Sequence, residues 1–245
     1  MKILGIIPAR YASNRFPGKA LVDVAGKSMV QRVYLQASKA QTLSKVIVAT
    51  DHEDIFQHVT DFGGSVCMTD SRHPTGTDRC YEALTQQSQE YDFVVNIQGD
   101  EPFIKPQQIE DLTSHLNPDI ELATLVKAID DPQHLSNPNL VKVVVNASGQ
   151  AVYFSRTPIP YTRNEPMDRW LDHQKYYGHI GIYAYRRDIL QEVTSLKMAP
   201  WERSEGLEQL RWLYHGYTIS VFQTAYESMG IDTPEDLVQA LRSHT

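Results

Sequence analysis

Three positively charged residues lie close together near the start of the chain. The segment GIIPARYASNRFPGKAL, residues 5–21, contains Arg10, Arg15 and Lys19, although the formal net charge of the whole chain is −7. Arginine binds phosphate oxygens as a planar fork, and lysine supplies a mobile point charge. A Pro-Gly pair just before Lys19 predicts a tight turn that brings the lysine back over the two arginines. This set of cations fits a triphosphate, and a solvated basic loop with surface ion pairs is the alternative.

Two aspartates could hold a metal ion beside that loop. Asp100 lies in NIQGDEP, residues 96–102, at the end of an apolar run, and Asp232 lies in GIDTPEDL, residues 230–237, just before a helical pattern. Mg²⁺ is usually held by one or two carboxylates, with phosphates and water completing its octahedron. The pair therefore suits a metal that bridges a triphosphate and an acceptor. The alternative is that Asp100 caps a turn and Asp232 caps the last helix.

Apolar runs of strand length alternate with helical periodicity in the first half of the chain. The predicted strands cover residues 2–9, 45–51, 63–69 and 92–100, and the predicted helices cover residues 28–40, 53–61, 78–89 and 106–116. This alternation predicts βαβ units, a parallel sheet and helices on both of its faces. Ligands of such sheets bind beyond the carboxyl ends of the strands, which is where the basic loop and Asp100 would then lie.

The second half predicts an antiparallel elaboration of the sheet. Its predicted elements are a hairpin over residues 140–156, strands over 179–186 and 217–224, and helices over 205–215 and 232–243. Thr233 is the expected N-cap of the last helix, because a proline and two acids follow it. We expect one α/β domain over residues 1–245, with a mostly parallel sheet. Residues 138–185 are a candidate inserted hairpin or dimer surface.

The composition narrows the function classes. The chain is 41% hydrophobic and 22% charged, as in ordinary globular proteins. Its acidic balance argues against nucleic acid as a partner, because binding to phosphate backbones needs a basic face. No apolar run approaches the roughly 18 residues of a membrane span, and no secretory signal is evident. Cys67 and Cys80 lack metal-ligand spacing and are typical of a reduced, cytoplasmic protein.

Several familiar catalytic motifs are absent. GKS at residues 26–28 resembles the end of a P-loop, but Leu21 stands where the first glycine is required. The dinucleotide fingerprint GxGxxG does not follow the first strand, and no Ser-His-Asp or Cys-His spacing suggests a covalent intermediate. A metal-dependent glycosyltransferase would need an Asp-x-Asp pair. Its one candidate, DHED at residues 51–54, is more typical of a helix start.

Nine motifs occur in order along the chain, namely IIPARYASNRFPGKAL, VATDHEDI, VCMT, GTDR, NIQGDEP, FSRTPIP, HIGIYAYR, LEQLR and GIDTPEDL. Together they resemble the 3-deoxy-manno-octulosonate cytidylyltransferases, from residue 3 to about residue 241. The resemblance implies a Rossmann-like nucleotidyltransferase fold, a three-layer sandwich, usually as a homodimer. It also implies Mg²⁺-dependent transfer of CMP from CTP to the anomeric hydroxyl of the acid sugar Kdo, for the inner core of lipopolysaccharide.

The resemblance also implies roles for individual residues. The triphosphate would be held by Arg10, Arg15 and Lys19, and the metal by Asp100 and Asp232. Four of these would form the catalytic set, namely Arg10, Lys19, Asp100 and Asp232. The cytidine site would be lined by Pro8, Ala9, Thr75, Gly76 and Gln98, with Arg79 near it. The sugar would face Arg156, His179, Tyr183, Glu208 and Gln209.

Four of the five side chains on the sugar side have a structural alternative. Arg156 could pair with a surface acid, and His179 could be a structural histidine at the start of a strand. Tyr183 could pack in the core with its hydroxyl outward. Glu208 could form an ordinary helix-surface pair with Arg211, three residues later.

Some positions depart from the family pattern. Asn14 and Phe16 stand where threonine and leucine are expected, and Gly178 stands where a basic residue is common. Enzymes for the 8-amino analogue of Kdo tend to carry glutamine where Glu101 stands, so Glu101 favours Kdo. The alternative functions are synthesis of another CMP-sugar, with 8-amino-Kdo or a sialic acid, and a non-catalytic regulatory domain that binds CTP.

Overall fold

The computed structural model describes residues 1–12, 15–227 and 229–244, with the side chains of Ser243 and His244 excepted. Asn14 therefore lies outside the described residues. Within these ranges the strands are β1 (Ile3–Ala9), β2 (Lys45–Thr50), β3 (Val66–Met68), β4 (Phe93–Asn96), β5 (Leu122–Ala128), β6 (Lys142–Val145), β7 (Ala151–Ser155), β8 (Tyr177–Arg186) and β9 (Ile219–Gln223).

Helices connect most of these strands. The α-helices in the described ranges are α1 (Met29–Ala37), α2 (Glu53–Asp61), α3 (Gly76–Thr85), α4 (Pro106–Thr113), α5 (Pro132–Ser136), α6 (Arg187–Thr194), α7 (Pro200–Glu205), α8 (Gln209–Tyr214) and α9 (Pro234–His244). Two short 3₁₀ helices cover Lys19–Leu21 and Met167–Asp172. None of the helices in the described ranges has the length and apolar character needed to cross a bilayer.

The sheet is mostly parallel, as the sequence predicts. Its main strand order is β3-β2-β1-β4-β8-β5-β9, and the β6–β7 hairpin continues from β8. Strands β1 to β4 pair in parallel, and so do β5 and β9. Strand β8 is antiparallel to both β4 and β5, between which it lies. The carboxyl ends of β1 and β4, which are adjacent and parallel, therefore meet at one edge of the sheet.

Side chains of successive sheet residues pack on opposite faces, which gives the molecule three layers. Ile3 and Ile7 of β1 pack with buried residues of α1, α2 and α4. Leu4 and Ile6 pack with buried residues of α3, α6 and α8 on the other face. This alternation is the two-residue period of a strand, and burial on both faces explains why the strand sequences are almost continuously apolar. The α/β three-layer fold is confirmed.

The structure differs from the sequence-based assignment in several places, one of which is helix α5, for which no element was predicted. The helix predicted over residues 205–215 is divided between α7 and α8, because Gly206 adopts a left-handed conformation with φ of 64° and ends α7. Strand β5 and helix α6 were not assigned from the sequence. The start of α9 agrees with the prediction, because the Asp236 backbone N–H donates to the Thr233 hydroxyl at 3.2 Å.

A buried lysine ties the β6–β7 hairpin to its surroundings. Lys142 is fully buried at the start of β6. Its Nζ donates to three carbonyl oxygens, those of Asn137 at 2.8 Å, Leu140 at 2.7 Å and Arg156 at 2.6 Å. Burial is the main cause that lowers the pKa of Lys142. Because three acceptors satisfy the ammonium, the hairpin is held at a fixed position beside β8.

Candidate active site

A cavity of about 580 Å³ lies at the carboxyl ends of β1 and β4. It brings together every residue predicted to bind nucleotide or metal, namely Pro8, Ala9, Arg10, Arg15, Lys19, Thr75, Gly76, Arg79, Gln98, Asp100 and Asp232. Ala12, Ala20 and Gly99 complete the lining. No separate sequence signal indicated the two alanines, which border the cavity because they flank the charged positions of the same loop. The roles of the predicted residues stay predictions, but their convergence is a feature of the structure.

The basic loop folds back on itself as expected. Gly18 has φ of 68°, a left-handed conformation that favours glycine, and its N–H donates to the Tyr11 carbonyl oxygen at 3.0 Å. The Tyr11 ring stacks on the His52 ring, with 4.0 Å between ring centroids. Tyr11 thus anchors the loop to the end of β2. The sequence analysis did not identify this role, since nothing local to Tyr11 predicts a partner so distant in the chain.

Lys19 lies between the two predicted metal ligands. Its Nζ is 2.7 Å from Asp100 Oδ2 and 3.0 Å from Asp232 Oδ1, and Arg15 Nη2 is 2.9 Å from Asp232 Oδ2. Burial alone would lower the pKa of Lys19. The charges and hydrogen bonds of the two carboxylates outweigh burial and raise that pKa above its ordinary value.

The backbone fixes the two aspartates relative to each other. The Ile231 N–H donates to the Asp100 carbonyl oxygen at 2.9 Å, which joins the segment after β4 to the segment before α9. The Asp236 carboxylate accepts from the Asp232 N–H at 3.0 Å and from the Thr233 N–H at 2.9 Å. The cap of α9 is thus made by Thr233 and Asp236. The Asp232 carboxylate is directed at Lys19 and Arg15 instead of capping the helix.

The two carboxylates have the donor chemistry that a magnesium site needs. Asp100 Oδ2 and Asp232 Oδ1 already converge on a single cation, the Lys19 ammonium. Hard oxygen ligands suit Mg²⁺, which commonly takes one or two carboxylates and fills its other positions with phosphate oxygens and water. Among the residues that the structure describes, no group of three or more His, Cys, Asp or Glu side chains could form an all-protein metal cage. The arrangement therefore fits a metal shared with a phosphate ligand.

The N-terminus of α3 forms another wall of the cavity. Thr75 caps the helix, with its hydroxyl accepting from the Asp78 N–H and the Asp78 carboxylate accepting from the Thr75 N–H. Free N–H groups at a helix start favour anions or carbonyl oxygens. Gly76 lies close to Pro8, since a Cβ there would be 3.5 Å from the proline ring. Arg79 is buried and pairs with Asp51 at 2.7 Å, so its guanidinium holds α3 against the end of β2.

Gly99 allows the segment after β4 to cross the end of β1. A Cβ at Gly99 would lie 2.6 Å from the Pro8 carbonyl oxygen, which is closer than side-chain carbons approach backbone atoms. The bend directs Gln98 and Asp100 into the cavity lining. Beside them, Asn96 is buried at the end of β4, and its Oδ1 has no hydrogen-bond partner among the described residues.

The five residues predicted to face the sugar lie outside the cavity lining. Gln209 is buried at the start of α8. Arg156 donates from Nε to the Glu205 carbonyl oxygen at 2.8 Å and from Nη1 to the Pro138 carbonyl oxygen at 3.0 Å. The guanidinium is therefore bound to backbone carbonyls and not to a surface acid.

His179 and Tyr183 lie side by side on β8, with 5.3 Å between ring centroids. Burial lowers the pKa of His179 to about 3, so the ring is neutral, and its Nε2 is 3.1 Å from the Thr124 hydroxyl. The Tyr183 hydroxyl lies near that of Thr124, which already donates to the Ile182 carbonyl oxygen. It is buried, not outward, and has no hydrogen-bond partner among the described residues.

Glu208 is held at the back of α3. Its Oε2 accepts from the Thr77 hydroxyl at 3.2 Å. Burial raises the pKa of Glu208 to about 6, and the nearby charge of Arg211 and the threonine hydroxyls oppose that rise. Arg211 pairs with the buried Glu202 at 2.6 Å, so the helix-surface pair expected between Glu208 and Arg211 is absent from the described ion pairs. Because Thr77 follows Gly76, Glu208 lies just behind the cavity wall.

The chain is similar to known proteins over almost its whole length. The cytidylyltransferase family model matches residues 4–219. The 3-deoxy-manno-octulosonate cytidylyltransferase of Cytophaga hutchinsonii is 51% identical, over 100% of this chain and 98% of its own length. The enzyme of that name from Phocaeicola vulgatus is 52% identical, over 98% and 96%.

Solved structures extend the likeness to the fold. A CMP:2-keto-3-deoxy-manno-octonic acid synthetase complexed with CTP superposes with a TM-score of 0.92, at 42% identity, over 100% of this chain and 98% of its own. A 4-diphosphocytidyl-2C-methyl-D-erythritol synthase from Anaerococcus prevotii shares the fold alone, with a TM-score of 0.65 and 14% identity over 99% and 98%. The protein is a nucleotidyltransferase and belongs to the family of 3-deoxy-manno-octulosonate cytidylyltransferases.

Proposed function

We propose that the protein transfers CMP from CTP to the anomeric hydroxyl of 3-deoxy-D-manno-octulosonate. The observation that carries this proposal is the convergence of Arg10, Lys19, Asp100 and Asp232 on one cavity beside the N-terminus of α3. The cavity offers cations for a triphosphate and carboxylates for a metal. The names of the relatives and the CTP bound to the similar synthetase support the choice of substrates.

In the reaction, the anomeric hydroxyl oxygen attacks the α-phosphorus of CTP. A new oxygen–phosphorus bond forms, the bond from that phosphorus to the pyrophosphate oxygen breaks, and the hydroxyl loses its proton to solvent. Arg10, Arg15 and Lys19 would bind the phosphate oxygens and stabilise the negative charge that moves to pyrophosphate. The residues around Thr75 and Gly76 would hold the cytidine against the end of β1.

Asp100 and Asp232 would hold a Mg²⁺ ion, which when bound supplies positive charge next to the reacting phosphate and acidifies a coordinated hydroxyl. For this reason we assign no side chain as a dedicated general base. The sugar would lie between this pair and β8, which carries His179 and Tyr183, and Arg156, Glu208 and Gln209 would complete its site. Neutral His179 and the Tyr183 hydroxyl suit hydrogen bonding to a polyol, and Arg156 suits a carboxylate.

The proposal extends to the biological setting. The product would serve lipopolysaccharide inner-core synthesis in the cytoplasm, where CTP is available and where the free thiols of Cys67 and Cys80 would stay reduced.

Residues 1–245 would act as one domain, and two copies would form a homodimer through the hairpin region, residues 138–185. Exposed Val152 and Tyr161 in that region support such a contact. Sedimentation equilibrium would test it, with a monomer contradicting it.

Release of pyrophosphate from CTP with Mg²⁺ tests the function. Kdo, its 8-amino analogue and a sialic acid are compared as acceptors, and ATP and UTP as donors. Release with CTP and Kdo alone is expected. Release with only another sugar would be consistent with the proposed CTP site but would refute Kdo as the acceptor. CTP binding without release for any sugar would favour a regulatory domain.

A further inference from the structure

Two of the three cations proposed to bind triphosphate are paired with the proposed metal ligands. Lys19 Nζ lies 2.7 Å from Asp100 and 3.0 Å from Asp232, and Arg15 lies 2.9 Å from the second oxygen of Asp232. Arg10 has no ion pair among the residues that the structure describes and is exposed. The cluster of Arg15, Lys19, Asp100 and Asp232 is therefore neutral as a whole, because its two cations balance its two carboxylates.

The lysine ammonium stands where a metal shared by the two carboxylates would be placed. An ion bound by both Asp100 Oδ2 and Asp232 Oδ1 must lie close to both oxygens, and Nζ already occupies such a point. The ammonium and a divalent cation cannot occupy it together. The side chains of Lys19 and Asp100 are only 17% and 29% exposed, so solvent screens this pair less than a surface pair.

We propose that Lys19 is an internal substitute for the metal ion, which holds Asp100 and Asp232 in the free protein and is displaced when nucleotide and metal bind together. The inference rests on the proposed function, since it takes these carboxylates as the metal site. A triphosphate offers Lys19 new oxygens, so the lysine can leave the carboxylates without losing its counter-charge. Metal and nucleotide should then each strengthen the binding of the other by the same factor.

The surrounding contacts permit this exchange. The bond from the Ile231 N–H to the Asp100 carbonyl oxygen and the bonds to Asp236 hold the aspartate backbones without help from Lys19. The carboxylates therefore keep their positions when the ammonium moves. Lysine has a flexible four-carbon stem that can swing between acceptors, whereas the planar fork of arginine is directional.

Binding of Mn²⁺ in the absence of nucleotide tests the proposal without any turnover. Free Mn²⁺ is measured by electron paramagnetic resonance during titration of wild type, Lys19→Gln and Lys19→Met. Removing the ammonium should tighten Mn²⁺ binding at least about tenfold, because two carboxylates lose a competing charge in a partly buried site. Lys27→Gln, on an exposed loop, is the matched control and should bind Mn²⁺ as wild type does.

The double variant Lys19→Gln with Asp100→Asn shows whether the stronger Mn²⁺ binding takes place at Asp100. It should lose the tighter Mn²⁺ binding if the ion enters the site that Lys19 leaves. Equal Mn²⁺ affinity in wild type and both Lys19 variants, or a gain that persists in the double variant, would overturn the proposal. Neither result depends on the sugar or on product formation, so failure here is distinct from failure of the pyrophosphate assay.

Discussion

The proposed nucleotide side and the proposed sugar side of this molecule hold their polar groups in different ways. On the nucleotide side, Arg15, Lys19, Asp100 and Asp232 lie at the rim of a cavity and neutralise one another. On the proposed sugar side, His179 is partly buried and neutral, because desolvation lowers its pKa to about 3. The first region therefore consists of charges paired with one another around a cavity, and the second of polar groups held mainly by neighbouring protein atoms.

This difference separates two kinds of mutational effect. Charges that line a cavity open to solvent are partly screened by water, so the loss of one should affect chemistry more than folding free energy. Buried polar groups are costly to leave without a partner, so their loss should affect stability as well. The predictions that follow test whether the two regions differ in this way.

Asp100→Asn should have the largest effect on the reaction. Removing a charge-stabilising group commonly costs at least about 10²-fold in turnover. Thermal stability should fall only slightly, because Lys19 loses its ion pair with Asp100 but keeps the one with Asp232. Steady-state kinetics measure the turnover of the variant, and a thermal melt measures its stability. Asp130→Asn, an exposed control, should change neither. Near-normal turnover of the Asp100 variant would contradict the metal role.

Lys142→Met should unfold the second region more easily and leave the nucleotide site intact. Three carbonyl oxygens would lose their donor in a buried site, which costs about 2 kcal/mol of unfolding free energy. Denaturant titration measures the loss, and CTP affinity should be unchanged. Lys175→Met, on an exposed position of the same region, is the control. A stability loss no larger than that of the control would refute the role of Lys142.

Glu208→Gln should remove a pH dependence from stability. Burial raises the pKa of Glu208 from 4.5 to about 6, so the folded state holds this proton more tightly than the unfolded state. The resulting stabilisation is complete below about pH 4.5 and is lost as the pH rises through about 6, by about 1–2 kcal/mol. The unfolding free energies of wild type and Glu208→Gln, measured between pH 4 and 7, test this pH dependence. A constant difference across this range would contradict the assignment.

Tyr183→Phe should have the smallest effect on stability. The hydroxyl it removes is buried and unpartnered among the described residues, so unfolding free energy should change by less than about 1 kcal/mol. If the hydroxyl contacts the sugar, KM for Kdo should rise while KM for CTP stays constant. Tyr185→Phe is the matched control, since its hydroxyl is 3.4 Å from that of Thr77. An unchanged KM for Kdo would exclude Tyr183 from sugar binding.

The sequence predicts the first half of the fold well because its signals are local. Apolar runs such as Ile3–Ile7 and Val46–Ala49 alternate with amphipathic helices, and right-handed connections then leave few topologies. The insertion of β8 between β4 and β5 is not predictable in the same way. It depends on pairing between residues far apart in the chain, such as Asn96 with Tyr183 and Leu122 with Tyr185. Strand β5 itself has a usable signal, an apolar run that begins at Leu122.

The candidate site also contains features that the local sequence predicts and features that depend on long-range packing. The residue types of Arg10, Lys19, Asp100 and Asp232 indicate phosphate and metal chemistry, and the strand ends explain why they meet. The pairing of Lys19 with both aspartates could not be predicted, since it depends on the position of α9 against the loop after β4. The burial of Tyr183 and the contact of His179 with Thr124 also follow from long-range packing.

Gly99 has a consequence for anyone who wishes to redesign this site. The segment after β4 crosses the end of β1 so closely that a methyl group at Gly99 would lie 2.6 Å from the Pro8 carbonyl oxygen. A library that varies residues 98–100 should therefore return glycine at the central position whatever substrate is selected. In chimeras of two relatives, the loop after β1 and the loop after β4 should come from the same parent. The two loops form a single unit of exchange, although they lie far apart in the chain.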